Sequence, residues 1–152
     1  MLVRDVMIRS LRTVEPSTKL LEVASMMCLY RFSGLPVVGK DNKLLGFVAE
    51  KDVLNKLFPS LEDLRDGMAG IEFEGMESQY HDILNLKVED VMTRGVITAS
   101  PDSHVLRATS VMVRHKFRRI PVAERGKLVG MLSMGDVHKA LFHLTVSNYL
   151  ET

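Results

Sequence analysis

The chain has 152 residues, 46% hydrophobic and 26% charged, with a net charge of +1. That length suits one compact domain or two small ones in close contact, and so small a charge gives no global case for nucleic-acid or membrane binding. A single cysteine, Cys28, excludes disulfides within the chain and cysteine-rich zinc sites.

Residues 11–14 (Leu-Arg-Thr-Val) read as a short strand that Pro16 stops, and Ser17 is a suitable residue to open a helix. In that helix Leu20, Leu21, Ala24, Met27 and Cys28 fall on one face, which makes Cys28 a core residue. Residues 35–38 (Leu-Pro-Val-Val) and 44–48 (Leu-Leu-Gly-Phe-Val) flank a Gly-Lys-Asp-Asn turn, the signature of a hairpin. Pro36 has no N–H to give a ladder, so it belongs at a strand start or an edge. A second helix is expected from Asp52 to Phe58. Residues 59–87 carry seven acids against Arg65 and Lys87, and read as an acidic, partly helical, solvated connection. A lid is the alternative, since loops this long are often functional.

The same order then returns. Residues 96–99 (Val-Ile-Thr-Ala) form the strand, Pro101 stops it, and Asp102 opens a helix with Val105, Leu106, Thr109, Met112 and Val113 on its face. A hairpin follows over 120–123 and 128–132 around Gly126, with Pro121 in the place of Pro36. The last helix is expected from Asp136 to about Leu144. The repeat is also literal. Val3-Arg4-Asp5-Val6-Met7 matches Val88-Glu89-Asp90-Val91-Met92, and Gly46 to Val53 matches Gly130 to Val137. Laying 3–58 over 88–142 with one gap near Asp41 aligns 55 positions, of which 20 are identical. A unit this short buries too little apolar surface to be stable alone, so the two are expected to share a core. The boundaries are 1–58 for the first repeat, 59–87 for the connection, and 88–152 for the second repeat with a C-terminal helical tail.

A tandem β-α-β-β-α unit that opens with Asp-Val-Met, carries a hydrophobic-Pro-Val strand and closes with Gly-x-hydrophobic-x-x-x-Asp resembles the CBS domain, named for cystathionine β-synthase. The resemblance implies an α/β (α+β) fold in which two units pack with pseudo-two-fold symmetry and modules pair again into homodimers. It implies a cleft between the repeats that takes an adenosine compound: AMP, ADP, ATP or S-adenosylmethionine. It also implies a regulatory rather than catalytic role, exercised on a separate effector protein whose identity is unknown.

Ser133 and Asp136 match the family's Ser/Thr-x-x-Asp element. An ionised aspartate can accept from both hydroxyls of a ribose, and Ser133 can meet a phosphate oxygen beside the first N–H groups of a helix. The same pair is also a helix cap that needs no ligand. In the first repeat Ala49 replaces the hydroxyl while Asp52 remains, so that site is expected to be weaker, or Asp52 serves only the helix start. Arg118, Arg119, Ile120 and Pro121 correspond to Ser33, Gly34, Leu35 and Pro36. The resemblance places the backbone of this stretch on the adenine. The two arginines offer forked phosphate donors, or are simply solvated, and the first copy has no such charge. Thr13 and Thr98 are further implied adenine contacts, although threonine also suits a strand.

No phosphate loop, zinc-binding His-Glu-x-x-His helix or nucleophile elbow is present. His81, His104, His115, His138 and His143 have no metal-ligand spacing and read as surface residues. No catalytic or metal site is expected. The competing functions are a dimerisation or docking module without nucleotide and, last, a nucleic-acid binder using the cations between Arg107 and Lys127. No run has membrane-spanning length and no N-terminal apolar stretch ends in a cleavage site, so the cytoplasm is the expected compartment.

Overall fold

The computed structural model describes residues 1–58 and 73–151. Of the acidic connection, Glu62, Asp63, Arg65, Asp66 and Glu72 lie outside the described residues. The chain divides into two compact units. One, here called the Asp52 unit, draws on 12–39 and 45–95; the other, the Asp136 unit, draws on 1–11, 40–44 and 96–152. The opening Asp-Val-Met stretch of each repeat therefore belongs to the unit built on the other repeat.

The Asp52 unit contains α2 (Leu20–Tyr30, after the single-turn α1, Val3–Val6, of the other unit), β1 (Gly34–Val38), β2 (Leu44–Ala49), α3 (Glu50–Leu54) and α4 (Phe73–Ile83). The Asp136 unit contains α1, α5 (Val105–His115), β3 (Arg119–Glu124), β4 (Lys127–Ser133) and α6 (Met134–Leu150). Each hairpin is a two-stranded sheet, β1 with β2 and β3 with the antiparallel β4. In the second, Arg119 pairs with Ser133 and Ile120 with Leu132, with a bulge at Val122/Ala123.

The expected first strands are each reduced to one parallel bridge, Val14 with Val37 and Ala99 with Val122. Prolines account for this. Val14 donates to the Pro36 carbonyl at 3.1 Å and accepts from Val38 N–H at 2.9 Å. The next parallel bond on one side needs an N–H from Pro36, and on the other side an N–H from Pro16. Neither exists. Pro121 and Pro101 frame the bridge at Ala99 in the same way.

The long helices start two residues later than expected, at Leu20 and Val105, rather than directly after Ser17 and Asp102. The intervening carbonyls are taken by the opening stretch of the other repeat. Val88 N–H donates to Thr18 and Glu89 N–H to Pro16; Val3 N–H donates to Ser103 and Arg4 N–H to Pro101. Arg4 also forms an ion pair with Asp102. His104 Nδ1 caps α5 by accepting from Leu106 N–H at 3.1 Å.

The buried faces of α2 and α5 also differ from the expected ones. Leu20, Val23 and Met27 are buried, as are Val105, Ala108 and Met112. Leu21 is 56% exposed and Cys28 is exposed, so Cys28 is not a core residue. The spacing i, i+3, i+7 keeps the stripe on the hairpin, and the i+1 and i+8 positions turn outward. Instead of one shared core, the described residues form two hydrophobic clusters. One is built around Leu20, Val37, Val48 and Val88, the other around Val3, Met112, Ile120 and Leu132. Each cluster grows beyond its own repeat by borrowing Val88 and Met92, or Val3 and Met7. In the first, the connection helps too: Ile83 is buried and Tyr80, Leu84 and Leu86 pack against the cluster. The last helix runs to Leu150, well past the expected end, whereas its counterpart α3 gives way to a 3-10 turn at Asn55–Leu57.

Two glycines let the borrowed stretches lie against the hairpins. A Cβ on Gly46 would come 2.7 Å from the Thr93 carbonyl oxygen, and one on Gly130 would come 3.0 Å from the Ile8 carbonyl oxygen. Both are backbone atoms held by paired hydrogen bonds. Gly46→Ala is therefore expected to destabilise the protein by about 1–3 kcal/mol in urea unfolding, the range for overpacking a fixed site.

Candidate functional site

Each hairpin delivers its chain into a helix start that carries one aspartate. In the Asp136 unit, Ser133 is the N-cap of α6 and its Oγ accepts from Asp136 N–H at 3.0 Å. The Met134 N–H donates to the Arg118 carbonyl at 2.9 Å, which ties the approach to β3 against the helix start. Asp136 is partly buried, but its carboxylate oxygens reach solvent, and among the described residues they have no hydrogen-bond or ion-pair partner.

Beside this helix start lies a cleft of about 640 Å³, within the range of small-molecule sites. Arg118, Arg119 and Ser133 line it, with Met134 and Gly135 of the same helix start, and so do residues not assigned to the site from sequence, among them Lys116 and Phe117. Met112, from the core of the unit, forms part of its floor. Lys116 follows α5 in a left-handed conformation with φ 60°, which carries its side chain to the same rim as the arginines. Phe117 stacks on His115 at 5.2 Å between ring centres. A signal for Phe117 was present, because Phe32 stands at the matching position of the first repeat. The site is thus an apolar floor with three exposed cations at its edge, a combination suited to a flat apolar group bearing an anionic tail.

The other named residues of this repeat do not line that cleft. Ile120 and Pro121 are buried, Ile120 within the hydrophobic cluster, and Thr98 is exposed next to the Ala99 bridge. Asp136 sits one residue beyond the lining residue Gly135.

The Asp52 unit repeats the backbone but not the chemistry. Glu50 N–H donates to the Ser33 carbonyl at 3.0 Å, as Met134 does to Arg118. Ala49 supplies no hydroxyl, and Asp52 itself does the capping, with its Oδ2 accepting from Ala49 N–H at 2.8 Å. Its Oδ1 accepts from the Thr93 hydroxyl at 3.4 Å. Leu35 and Pro36 are buried, and Gly34 lies under the Phe47 ring. Thr13 is partly buried, and beside it Arg12 lies 4.0 Å over the Tyr30 ring. Among the described residues no cluster of His, Cys, Asp or Glu could hold a metal ion, and no helix is long and apolar enough to cross a membrane.

Two copies of one bridge-helix-hairpin-helix pattern, each ending in an aspartate-bearing helix start, define a tandem-repeat α/β module. The CBS domain family matches the chain at residues 3–59 and 88–143, and the chain belongs to that family. It is 33% identical to the uncharacterized protein MJ1426 of Methanocaldococcus jannaschii, over 93% of this chain and 91% of that protein. Among solved structures it is similar to CBSX2 in complex with AMP, with a TM-score of 0.73 and 25% identity, covering 95% of this chain and 98% of that one. A structure of CBSX2 from Arabidopsis thaliana superposes with a TM-score of 0.76 at 25% identity, over 95% and 96% of the two chains.

Proposed function

We propose that the protein is a regulatory, non-catalytic module that binds an adenosine nucleotide in its second repeat and passes that signal to a separate protein. The observation that carries this reading is the partnerless Asp136 carboxylate at the start of α6. Both carboxylate oxygens are open to accept, and a ribose diol supplies two donors to them. Arg118, Arg119 and Lys116 then face the phosphates, with Ser133 between sugar and phosphate. The likeness to an AMP-bound CBS pair supports AMP as the first ligand to try. ADP, ATP and S-adenosylmethionine share the adenosine that Asp136 would hold. Thr98, Ile120 and Pro121 keep their proposed place along the adenine through backbone atoms. The first repeat, with Thr13, Ser33, Gly34, Leu35, Pro36, Ala49 and Asp52, is the weaker site.

Calorimetric titration with AMP, ADP, ATP and S-adenosylmethionine tests this. At least one is expected to release heat at a stoichiometry near one strong site per chain. If all four fail to bind and none raises the melting temperature, the reading gives way to a docking module. That second reading has an observation of its own: Phe142, Leu144 and Leu150 are exposed along α6, a surface a second copy of the chain could cover in a homodimer.

A further inference from the structure

We infer that the residue following the Asp-Val-Met stretch, Ile8 or Thr93, decides which of the two aspartates is open to a ligand; this rests on the nucleotide reading above. The two residues occupy the same place in their units. Thr93 exchanges both backbone hydrogen bonds with Phe47, at 2.8 and 2.9 Å, and Ile8 exchanges both with Met131, each at 2.9 Å. Phe47 and Met131 are matching positions of the two hairpins, each five residues before its aspartate.

From that place Thr93 reaches Asp52. Its hydroxyl donates to Oδ1, while the Ala49 N–H holds Oδ2. Both carboxylate oxygens are engaged. A sugar diol arriving there must displace a donor already bound. Ile8 has no donor to give, and on the other side of Asp136 the capping is done by Ser133 Oγ rather than by the carboxylate. One exchange between the repeats, Thr93 for Ile8, supplies the second donor to Asp52, while Asp136 keeps both oxygens available. Thr93 is a positioning residue that acts through Asp52. Because each comes from the opposite repeat, residue 8 governs the aspartate at 136, and residue 93 governs the one at 52.

The test is AMP titration by calorimetry on the full chain, for the wild type, Thr93→Val, Thr93→Ser, Ile8→Thr and the double variant Thr93→Val/Asp52→Asn. Valine keeps the shape of threonine without its donor, and serine restores the donor. Thr93→Val is expected to tighten the weak class of sites by about threefold to tenfold, the range of one net hydrogen bond. Thr93→Ser should return it to the wild-type value, and the double variant should lose the gain. Ile8→Thr should weaken the strong class by a similar factor. Urea unfolding of each free variant reports whether the fold is intact. If the wild type binds AMP and both Thr93→Val and Ile8→Thr leave its two classes unchanged, the inference is overturned while the nucleotide reading stands. If the wild type binds none of AMP, ADP, ATP and S-adenosylmethionine, the reading falls and this inference falls with it.

Discussion

Asp136→Ala should abolish most of the thermal stabilisation that AMP confers, and Asp52→Ala should leave most of it intact. A ligand at a hundredfold excess over its dissociation constant, binding only the folded state, adds about 2.7 kcal/mol. For a chain of this size that corresponds to a rise of about 5–10 °C in melting temperature. The structure separates the two aspartates by a second criterion. Asp136 accepts no hydrogen bond from the described residues, so its removal costs the free protein little. Asp52 caps α3 through Ala49 N–H at 2.8 Å. Its loss should cost about 1 kcal/mol without ligand, the usual net value of one hydrogen bond. One variant therefore loses binding and keeps stability, and the other does the reverse. A melting series with and without AMP reads both. Equal loss of the AMP shift from both variants would contradict the assignment.

Leu132→Ala should destabilise the free protein by about 2–5 kcal/mol in urea unfolding. Leu132 is fully buried in β4, opposite Ile120, within the cluster that Val3 and Met112 complete. Truncating it removes apolar contact and leaves a cavity that a two-stranded sheet pressed between helices cannot close. Leu21→Ala is the control. Leu21 lies on α2 and was assigned to the buried face by sequence spacing, yet it is 56% exposed. Its truncation should change stability by less than about 0.5 kcal/mol. A large loss at Leu21 would mean that another surface covers that helix face in solution.

These contrasts mark what the sequence could and could not convey. The hairpins were legible, because β-rich runs around a turn leave a local pattern and the pattern occurs twice. The aspartate-bearing helix starts were legible for the same reason. The first strands were overread: Thr13 and Val14 have strand character, but the flanking prolines permit one bridge and no more. The α2 face was misassigned because Leu21 and Cys28 are as apolar as Val23, and spacing alone did not say which side meets the hairpin. The borrowing of Val3 and Met7 by one unit, and of Val88 and Met92 by the other, left no local trace, since it depends on which carbonyls at 16, 18, 101 and 103 are left for them. The difference between the two aspartates was not legible for the related reason that Thr93, whose hydroxyl meets Asp52, stands 41 positions away. Lys116 was counted among the cations but not assigned to the cleft, because its direction comes from a left-handed backbone at the end of α5 that composition does not reveal.

The crossed-over opening stretches set an order on biosynthesis. Residues 1–11 are made before the rest of their unit, and Val3 and Met7 meet their cluster only once Ala99, Val105 and Met112 have emerged. The unit around Leu20, by contrast, is complete once Met92 is out. The single-turn α1 therefore waits while the whole unit around Leu20 is made, and the unit that holds residues 1–11 is completed after the other.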